Sequence, residues 1–157
     1  MRLDEIDLHI LKQLQRDSSR TNLELARAVG LSPPACLRRV RRLRERGVIR
    51  GEVAVLDARL VGPPMTVVVA VDLVSENRVQ VTSFRQRMLA EEAVVQCLYV
   101  TGRHDFILVT RVADIAAYEA LSQRLFHDDA NVKRYESLVV LDEVKRDLAV
   151  PVLARSA

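Results

Sequence analysis

The sequence predicts an α+β fold in two parts, in which a helical N-terminal segment precedes a segment where strands and helices alternate. Apolar residues recur at helical spacing in the first third of the chain, whereas short β-branched runs separated by amphipathic stretches fill the remainder. Between the two parts, the stretch GPP at 62–64 interrupts any regular element. We therefore predict a first domain at 1–56, a linker at 57–64 and a second domain at 65–157.

The first two helices have local start and stop signals. Residues 3–17, LDEIDLHILKQLQRD, place leucine and isoleucine on one helical face and acidic residues near the N-terminus, where the helix dipole favours them. Thr21 and Glu24 have the spacing of a capping box, which predicts the start of the second helix. Gly30 is suited to the left-handed position that ends this helix.

The third helix is predicted within residues 32–51, SPPACLRRVRRLRERGVIRG. Ser32 is a predicted N-cap, Pro33 suits the first helical position, and Gly47 suits the end of the helix. Two helices joined by a tight turn that contains glycine form a helix-turn-helix. The β-branched residues that follow, in VIRGEVAVLD, predict a strand pair or wing, so the first domain is a predicted winged helix-turn-helix.

Positive charge is concentrated in the first domain. Residues 1–56 contain twelve Lys and Arg and seven Asp and Glu, which gives a net charge of +5. Residues 57–157 contain twelve and fourteen, which gives −2, and the two values together reproduce the net charge of +3 for the chain. This asymmetry predicts that the first domain binds a polyanion.

Residues 32–51 hold seven arginines and one acidic residue, Glu45. At about 100° per residue, Arg38 and Arg42 are predicted to point away from the apolar seam of the third helix. Arg38, Arg42 and Arg46 follow one another at intervals of four, where like charges repel and an ordinary solvated face carries mixed signs. We therefore interpret this face as a DNA-binding surface with almost no acidic residues to pair it.

The helix-turn-helix motif assigns roles to the residues of this surface. The N-terminal part of its second helix meets base edges in the major groove, and the flanks of the helix meet phosphates. The predicted base-facing residues are Ser32, Pro34, Ala35, Arg38 and Arg39. The predicted phosphate contacts are Arg41, Arg42, Arg46 and Arg50.

The second domain has the predicted element order β-α-β-β-α-β, which is the order of a ferredoxin-like fold. Its strands are strongly apolar, beginning with MTVVVAVDLV, as expected of a sheet that is covered on both faces. Because the two helices of this arrangement cover only one face, we expect a second subunit to cover the other. A stable monomer at micromolar concentration would contradict this expectation.

Other function classes have little support in the sequence. His9, His104 and His127 lie on three separate elements without metal-ligand spacing, and the chain has no nucleophile motif, phosphate loop or dinucleotide fingerprint, so we do not predict an enzyme. Cys36 and Cys97 are far apart and are predicted to be buried thiols in a reducing compartment. No apolar run approaches the roughly 20 residues of a membrane-spanning helix, and we expect a cytoplasmic protein without a cofactor.

The stretch ELARAVGLSPPACLRRVRRL, together with CLYVTG followed by HDFIL, resembles the Lrp/AsnC family of leucine-responsive, feast/famine transcription regulators. The resemblance covers essentially the whole chain. It implies a winged helix-turn-helix followed by a ferredoxin-like effector-binding domain. It also implies paired effector domains, often assembly of four dimers into an octamer, and small molecules, usually amino acids, bound between dimers.

The resemblance also indicates an effector site. Family members commonly have a Gly-Asp-Tyr-Asp-like turn between the second and third strands of the effector domain, and a Thr-x-Thr-like pair in the final strand. This chain keeps the first and last residues of the turn but has Arg103 and His104 between them, which inverts the local charge. The implied effector contacts are Thr101, Gly102, Arg103, His104, Asp105, Tyr135 and Ser137.

Several alternatives remain open from the sequence. Arg103 selects an acidic or carboxylate-only effector, or the site is empty and regulation is independent of an effector. The protein is a sequence-specific regulator, or it is an architectural, nucleoid-type protein that wraps DNA with little sequence preference. A metabolite-binding regulatory subunit of an enzyme fits residues 65–157 but leaves the basic helix unexplained.

Overall fold

The computed structural model describes residues 3–152, which form two compact units. The first unit contains the described residues up to Val55 together with those from Lys145 onward, and the second contains Leu56–Val144. The predicted second domain at 65–157 therefore differs from the structure at its C-terminal end. In the first unit, the side-chain amide of Gln15 donates to the carbonyl oxygen of Val150 at 2.9 Å and accepts from its backbone N–H at 2.7 Å.

The three predicted helices of the first unit are present. They are α1 (Glu5–Arg16), α2 (Asn22–Ala28) and α3 (Pro33–Glu45). The predicted capping box of Thr21 and Glu24 is confirmed, and Gly30 and Gly47 adopt φ values of 70° and 68° after their helices. Ser32 occupies the N-cap position of α3, although its side chain makes no capping hydrogen bond.

The predicted strand pair after α3 is wrong. Residues 51–57 have no regular secondary structure, and a four-residue helix, α4 (Ala58–Val61), lies within the predicted linker. A strand needs a neighbouring strand for its backbone hydrogen bonds, and within residues 3–152 no strand pairs with this segment. Val53 and Val55 are consequently exposed despite their β-branched side chains.

The second unit has the predicted β-α-β-β-α-β order. Its elements are β1 (Met65–Leu73), α5 (Arg78–Ala90), β2 (Val94–Tyr99), β3 (Phe106–Val112), α6 (Ile115–Ser122) with a π-helical turn (Gln123–His127), and β4 (Val132–Val139). The strands form one antiparallel sheet in the order β2-β3-β1-β4. The two structural halves therefore place β1 and β3 in the middle of the sheet, where both have a neighbour on each side.

The two faces of the sheet differ in burial. Alternate residues of β1, from Val67 to Leu73, pack against aromatic and aliphatic side chains of α5 and α6, including Phe84 and Leu121. On the opposite face, Leu98 and Leu138 are about half exposed at 43% and 53%. The second unit thus has a helix-covered face and an open face, as the element order predicts. No helix in residues 3–152 is long and apolar enough to cross a membrane.

Candidate functional site

A buried seam fixes the rotation of α3. Cys36, Val40 and Leu43 are 0%, 6% and 0% exposed and pack against Ile10 of α1 and Leu25 of α2. The side chain of Asn22 donates a hydrogen bond to the carbonyl oxygen of Pro33 at 2.9 Å, which joins the start of α2 to the start of α3. The orientation of every arginine on α3 follows from this seam.

Four arginines lie on the exposed side of the first unit, and we call them the outer arginines. They are Arg38, Arg41, Arg46 and Arg50. None of them makes an ion pair or side-chain hydrogen bond with any residue in 3–152. Ser32 and Pro34 at the start of α3 are also exposed, and Ala35 is half-buried. These seven of the nine predicted DNA contacts are thus accessible on one unit.

The other two predicted contacts, Arg39 and Arg42, point toward α1, and we call them the inner arginines. One guanidinium nitrogen of Arg39 donates to Asp4 at 2.6 Å and to Asp7 at 2.8 Å. Arg42 donates to the two oxygens of Asp7 at 2.9 and 2.6 Å, and its Nε atom is buried. The expectation that acidic residues do not pair this helix is therefore corrected for the inner arginines, and Arg41 rather than Arg42 joins Arg38 on the exposed side.

Asp4 and Asp7, which we call the carboxylate pair, also cap α1. The Asp4 side chain accepts from the backbone N–H of Asp7 at 2.8 Å, and the Asp7 side chain accepts from the backbone N–H of Asp4. The backbone hydrogen bond from Asp7, followed by the one from Arg39, lowers the pKa of Asp4 below its usual value. The acids of LDEID indicate a helix start, but no local pattern indicates their partners more than thirty positions away.

Arg44 also has a partner in the first unit. Its guanidinium donates to the Glu52 carboxylate at 2.5 Å, and about half of its side chain is exposed. An exposed pair of this kind contributes little to stability. It nevertheless leaves the outer arginines as the unpaired cations of the segment 32–51.

In the second unit, the turn between β2 and β3 is held by Asp105. The Asp105 carboxylate accepts a hydrogen bond from the backbone N–H of Leu73 at 2.7 Å. Its backbone N–H donates to Val71 and its carbonyl oxygen accepts from Val100. Asp105 therefore attaches the turn to the end of β1, a structural role that its position in the family-like turn did not indicate.

His104 belongs to a cluster of charged groups at the same end of β1. Its Nδ1 atom donates to Asp72 at 2.7 Å, and Arg134 of β4 donates to the other Asp72 oxygen at 2.9 and 2.6 Å. Burial alone would raise the pKa of Asp72, but the hydrogen bonds from His104 and Arg134 outweigh it and lower that pKa. Asp72 was not among the predicted site residues, although an acid at the end of an apolar strand is a recognisable signal.

Tyr135 and Ser137 lie on the helix-covered side of the sheet. The hydroxyls of Ser137 and the buried Tyr118 of α6 share a hydrogen bond, and the Tyr135 hydroxyl bonds to Nε2 of His127 at 2.6 Å. Burial raises the pKa of Tyr118, although its bond to Ser137 acts in the opposite direction. Both hydroxyls predicted to contact an effector are thus engaged within the unit.

The predicted effector contacts therefore divide into separate groups. Thr101, Gly102 and Arg103 are exposed in the turn, and Arg103 makes no ion pair or hydrogen bond with any residue in 3–152. His104 bonds to Asp72, whose strand position alternates with the helix-facing Val71 and Leu73, whereas Tyr135 and Ser137 contact the helices. Within a single copy of the chain, the seven residues thus lie in separate groups.

No group of three or more His, Cys, Asp or Glu side chains in the described part of the chain is arranged to hold a metal ion. Cys36 is buried in the first unit, where burial raises the pKa of its thiol, and Cys97 is half-buried in β2. The chemistry that the structure displays is consequently that of exposed guanidinium groups in the first unit and of a charged turn in the second.

Two family models match the chain. Residues 3–50 match a winged helix-turn-helix DNA-binding domain, and residues 66–150 match the Lrp/AsnC ligand binding domain. The first match covers α1 to α3 with the outer arginines, and the second covers nearly the whole sheet. The domains recognised in this way follow the same order as the two structural units.

Individual relatives cover nearly the full chain. The leucine-responsive regulatory protein of Haemophilus influenzae is 39% identical over 144 residues, which are 92% of this chain and 87% of that protein. The crystal structure of an AsnC family transcriptional regulator from Agrobacterium tumefaciens has a TM-score of 0.88 at 32% identity and covers 95% of this chain and 97% of that one. The transcriptional regulator NMB0573 of Neisseria meningitidis, in a complex with L-Met, has a TM-score of 0.87 at 28% identity, with coverage of 95% and 96%.

Proposed function

The chain belongs to the Lrp/AsnC family of transcription regulators, and we propose that its outer arginines bind promoter DNA under the control of a small effector held by the sheet unit. It is a DNA-binding regulator with a ligand-binding unit. Such a regulator acts on cytoplasmic DNA and needs no catalytic group. Within this function, we assign base reading to Ser32, Pro34, Ala35 and Arg38, and phosphate binding to Arg41, Arg46 and Arg50.

The observation that carries this proposal is the exposed, uncompensated charge of α3 and the residues that follow it. Four guanidinium groups on one small unit have no anionic partner in residues 3–152, so their electrostatic repulsion is relieved only by ions or by a polyanion. Pro33 at the first position of α3 and the exposed Ser32 leave the N-terminal end of the helix free to enter a major groove. Double-stranded DNA is a polyanion whose major groove is wide enough to admit an α-helix.

The test compares specific and random DNA at one salt concentration. We expect the wild-type protein to bind the region upstream of its own gene at least about 10³-fold more tightly than a scrambled duplex. Arg38→Ala is expected to weaken only the specific complex, by about 1–3 kcal/mol if Arg38 contacts a guanine. Arg44→Ala, which removes an arginine paired to Glu52, serves as the matched control.

Equal affinity of the wild-type protein for both duplexes would instead support an architectural, nucleoid-type role. Equal losses for Arg38→Ala on both duplexes would assign Arg38 to a phosphate rather than to a base. Fluorescence anisotropy of labelled duplexes measures both affinities under the same conditions. Together these outcomes separate a local regulator from a protein that binds any DNA.

For the sheet unit, we propose an effector that has a carboxylate, such as an amino acid or a 2-oxo acid. Arg103 is an exposed cation at the turn, and the neighbouring acids, Asp72 and Asp105, already have partners within the unit. A guanidinium group binds a carboxylate through two parallel hydrogen bonds. The L-Met complex of the Neisseria relative is consistent with this class of ligand.

Thermal unfolding with each of the twenty amino acids and common 2-oxo acids tests this proposal. A carboxylate effector is expected to raise the midpoint of the wild-type protein, and Arg103→Ala is expected to remove most of that increase. Arg78→Ala, on the exposed start of α5, is the control for the loss of one positive charge. If none of these compounds raises the midpoint, regulation independent of an effector becomes the better hypothesis.

We also propose that the open face of the sheet binds a second copy of the chain. Leu98 and Leu138 are half exposed there, next to partly buried Val68, Ile107 and Val109 of the central strands. Contiguous apolar surface of this kind marks an interface. The family resemblance extends the proposal to an octamer of four dimers.

Sedimentation analysis of the 17.7-kDa chain over a range of dilutions measures its assembly state. Leu138→Glu places a charge on the open face and is expected to shift the protein toward the monomer. Leu89→Glu, on α5 and 85% exposed, is the control because it lies away from the sheet. A wild-type protein that remains monomeric would contradict the interface, and a dimer that never exceeds two copies would contradict the octamer.

A further inference from the structure

The inner arginines differ from the outer arginines in their electrostatic surroundings, although all of them come from one short segment. Arg39 and Arg42 carry two positive charges, and the carboxylate pair that they contact carries two negative charges, so the four groups together are neutral. The Asp7 side chain is 1% exposed and accepts hydrogen bonds from both guanidinium groups. This neutral cluster lies between α1 and α3, next to the proposed DNA-binding surface.

Moving an inner arginine to a DNA phosphate would be unfavourable. Arg42 is 42% exposed but Asp7 is 1% exposed, so Asp7 would be left as a buried carboxylate with one partner fewer, which is destabilising. The phosphate interaction formed in its place would be exposed and screened by salt. The larger of the two effects retains Arg39 and Arg42 on α1 when the protein binds DNA.

The outer arginines have no such competing partner. A phosphate that contacts Arg41, Arg46 or Arg50, or a base that contacts Arg38, breaks no ion pair with a residue in 3–152. Each phosphate contact releases condensed counterions from the DNA, which makes the affinity depend on salt. The segment 32–51 therefore contains two classes of arginine that the salt dependence of binding distinguishes.

We propose that the carboxylate pair withholds the inner arginines from DNA phosphates and so limits the affinity of the protein for random DNA. Asp7 is then a specificity-determining residue that touches no DNA, and its effect is to reduce sequence-independent binding. If the inner arginines were also free, the protein would bind any duplex more tightly, because phosphate contacts carry no sequence information. This inference rests on the proposed DNA-binding function and adds to it which arginines contribute.

The experiment measures the salt dependence of binding to a random-sequence duplex for two matched variants, Arg41→Gln and Arg42→Gln. Both remove one charge from adjacent positions of α3. For Arg41→Gln, we expect the slope of log affinity against log salt to decrease by about 0.9 per bound protomer. For Arg42→Gln, we expect the wild-type slope. Circular dichroism and thermal unfolding confirm that each variant is folded.

The complementary variants remove the acids. Asp4→Asn keeps an equally good N-cap residue but removes the exposed partner of Arg39. Asp7→Asn removes the carboxylate shared by Arg39 and Arg42. We expect Asp7→Asn to increase the slope for random DNA by up to about 1.8 and to reduce the ratio of specific to random affinity. Because Asp4→Asn leaves Arg39 bonded to Asp7, we expect it to keep the wild-type slope, which makes it the matched control. If Asp7→Asn fails to fold, the comparison of Arg41→Gln with Arg42→Gln still gives the test.

The outcomes distinguish this inference from the function on which it rests. If Arg42→Gln reduces the slope as much as Arg41→Gln does, Arg42 contacts phosphate and the inference is overturned. An unchanged slope in folded Asp7→Asn would overturn it as well. If the wild-type affinity does not depend on salt at all, the proposed DNA-binding surface itself is refuted.

Discussion

The helix α3 and the turn between β2 and β3 are the two proposed functional regions of the chain, and they differ in how their charged side chains are paired. On α3 and just after it, four arginines are exposed without partners in residues 3–152, and the buried seam beneath them fixes only the rotation of the helix. In the turn, Asp105 and His104 are bound to the end of β1, and Arg103 has no partner among the described residues. The first region therefore exposes several unpaired guanidinium groups, which suits a polyanion. The second region exposes one, Arg103, on a turn that hydrogen bonds hold in place.

The difference indicates what each ligand requires. DNA has phosphates at regular intervals. Guanidinium groups in a row on a rigid helix can therefore bind it without hydrogen bonds behind them to fix their geometry. A small molecule offers one or two charged groups, so its site needs a fixed geometry that is supplied by hydrogen bonds behind the contacting residues. Substitutions in the two regions test this contrast, beginning with those that should cost the most stability.

Removal of a core side chain is expected to destabilise only the unit that contains it. Leu43→Ala empties a site that is 0% exposed beneath α3 and should destabilise the first unit by about 2–5 kcal/mol. Leu108→Ala, equally buried in the sheet, is the matched substitution in the second unit. Hydrogen exchange resolved by residue should show increased opening in one unit for each variant. Equal loss of protection in both units would contradict the independence of the two cores.

The next largest loss of stability is expected when the Asp105 carboxylate, which holds the turn, is removed. Asp105→Ala deletes a charged acceptor for the backbone N–H of Leu73 and should destabilise the second unit by about 1.5–3 kcal/mol. Denaturant unfolding measures this loss. Glu136→Ala on β4 is the control, since its carboxylate has no hydrogen bond with a residue in 3–152. Equal stability of the two variants would show that the turn is not held by Asp105.

The contribution of Asp72 depends on pH. Its pKa is lowered in the folded protein, so its stabilising effect is complete above the ordinary value of 3.8 and is lost as the pH falls through the lower, folded value. At neutral pH, Asp72→Asn should cost about 1 kcal/mol or less, since Arg134 is largely exposed. Unfolding free energies of both proteins should converge well below pH 3.8. A difference that persists in acid would exclude the charge of Asp72 as its cause.

The smallest effect is expected at the free cation of the turn. Arg103→Ala removes no ion pair or hydrogen bond with a described residue, so stability should change by less than about 0.5 kcal/mol. Chemical denaturation in the absence of ligand measures it. A larger loss would place Arg103 among the residues that support the turn. The contrast between Asp105 and His104, which hold the turn, and an unpaired Arg103 would then no longer hold.

Much of the first unit was predictable because its signals are local. The capping box of Thr21 and Glu24 joins residues three positions apart, and the glycines after α2 and α3 adopt the conformation that their positions required. The same is true of the element order of the second unit, which follows from the periodicity of apolar residues. The strand predicted after α3 failed because a strand depends on a partner that adjacent residues do not specify.

Three features of the chain follow from its amino-acid order alone: the helices α1 to α3 with their ends, the order of elements in the second unit, and the concentration of positive charge in the first unit. Tertiary packing was needed to establish which arginines remain free, since Asp7 and Arg42 are 35 positions apart and meet only when α1 packs on α3. Packing also directs Tyr135 and Ser137 toward the helices while His104 bonds to Asp72. Hydrogen bonds within one turn are encoded by neighbouring residues, whereas the partner of a charged side chain depends on how distant elements pack.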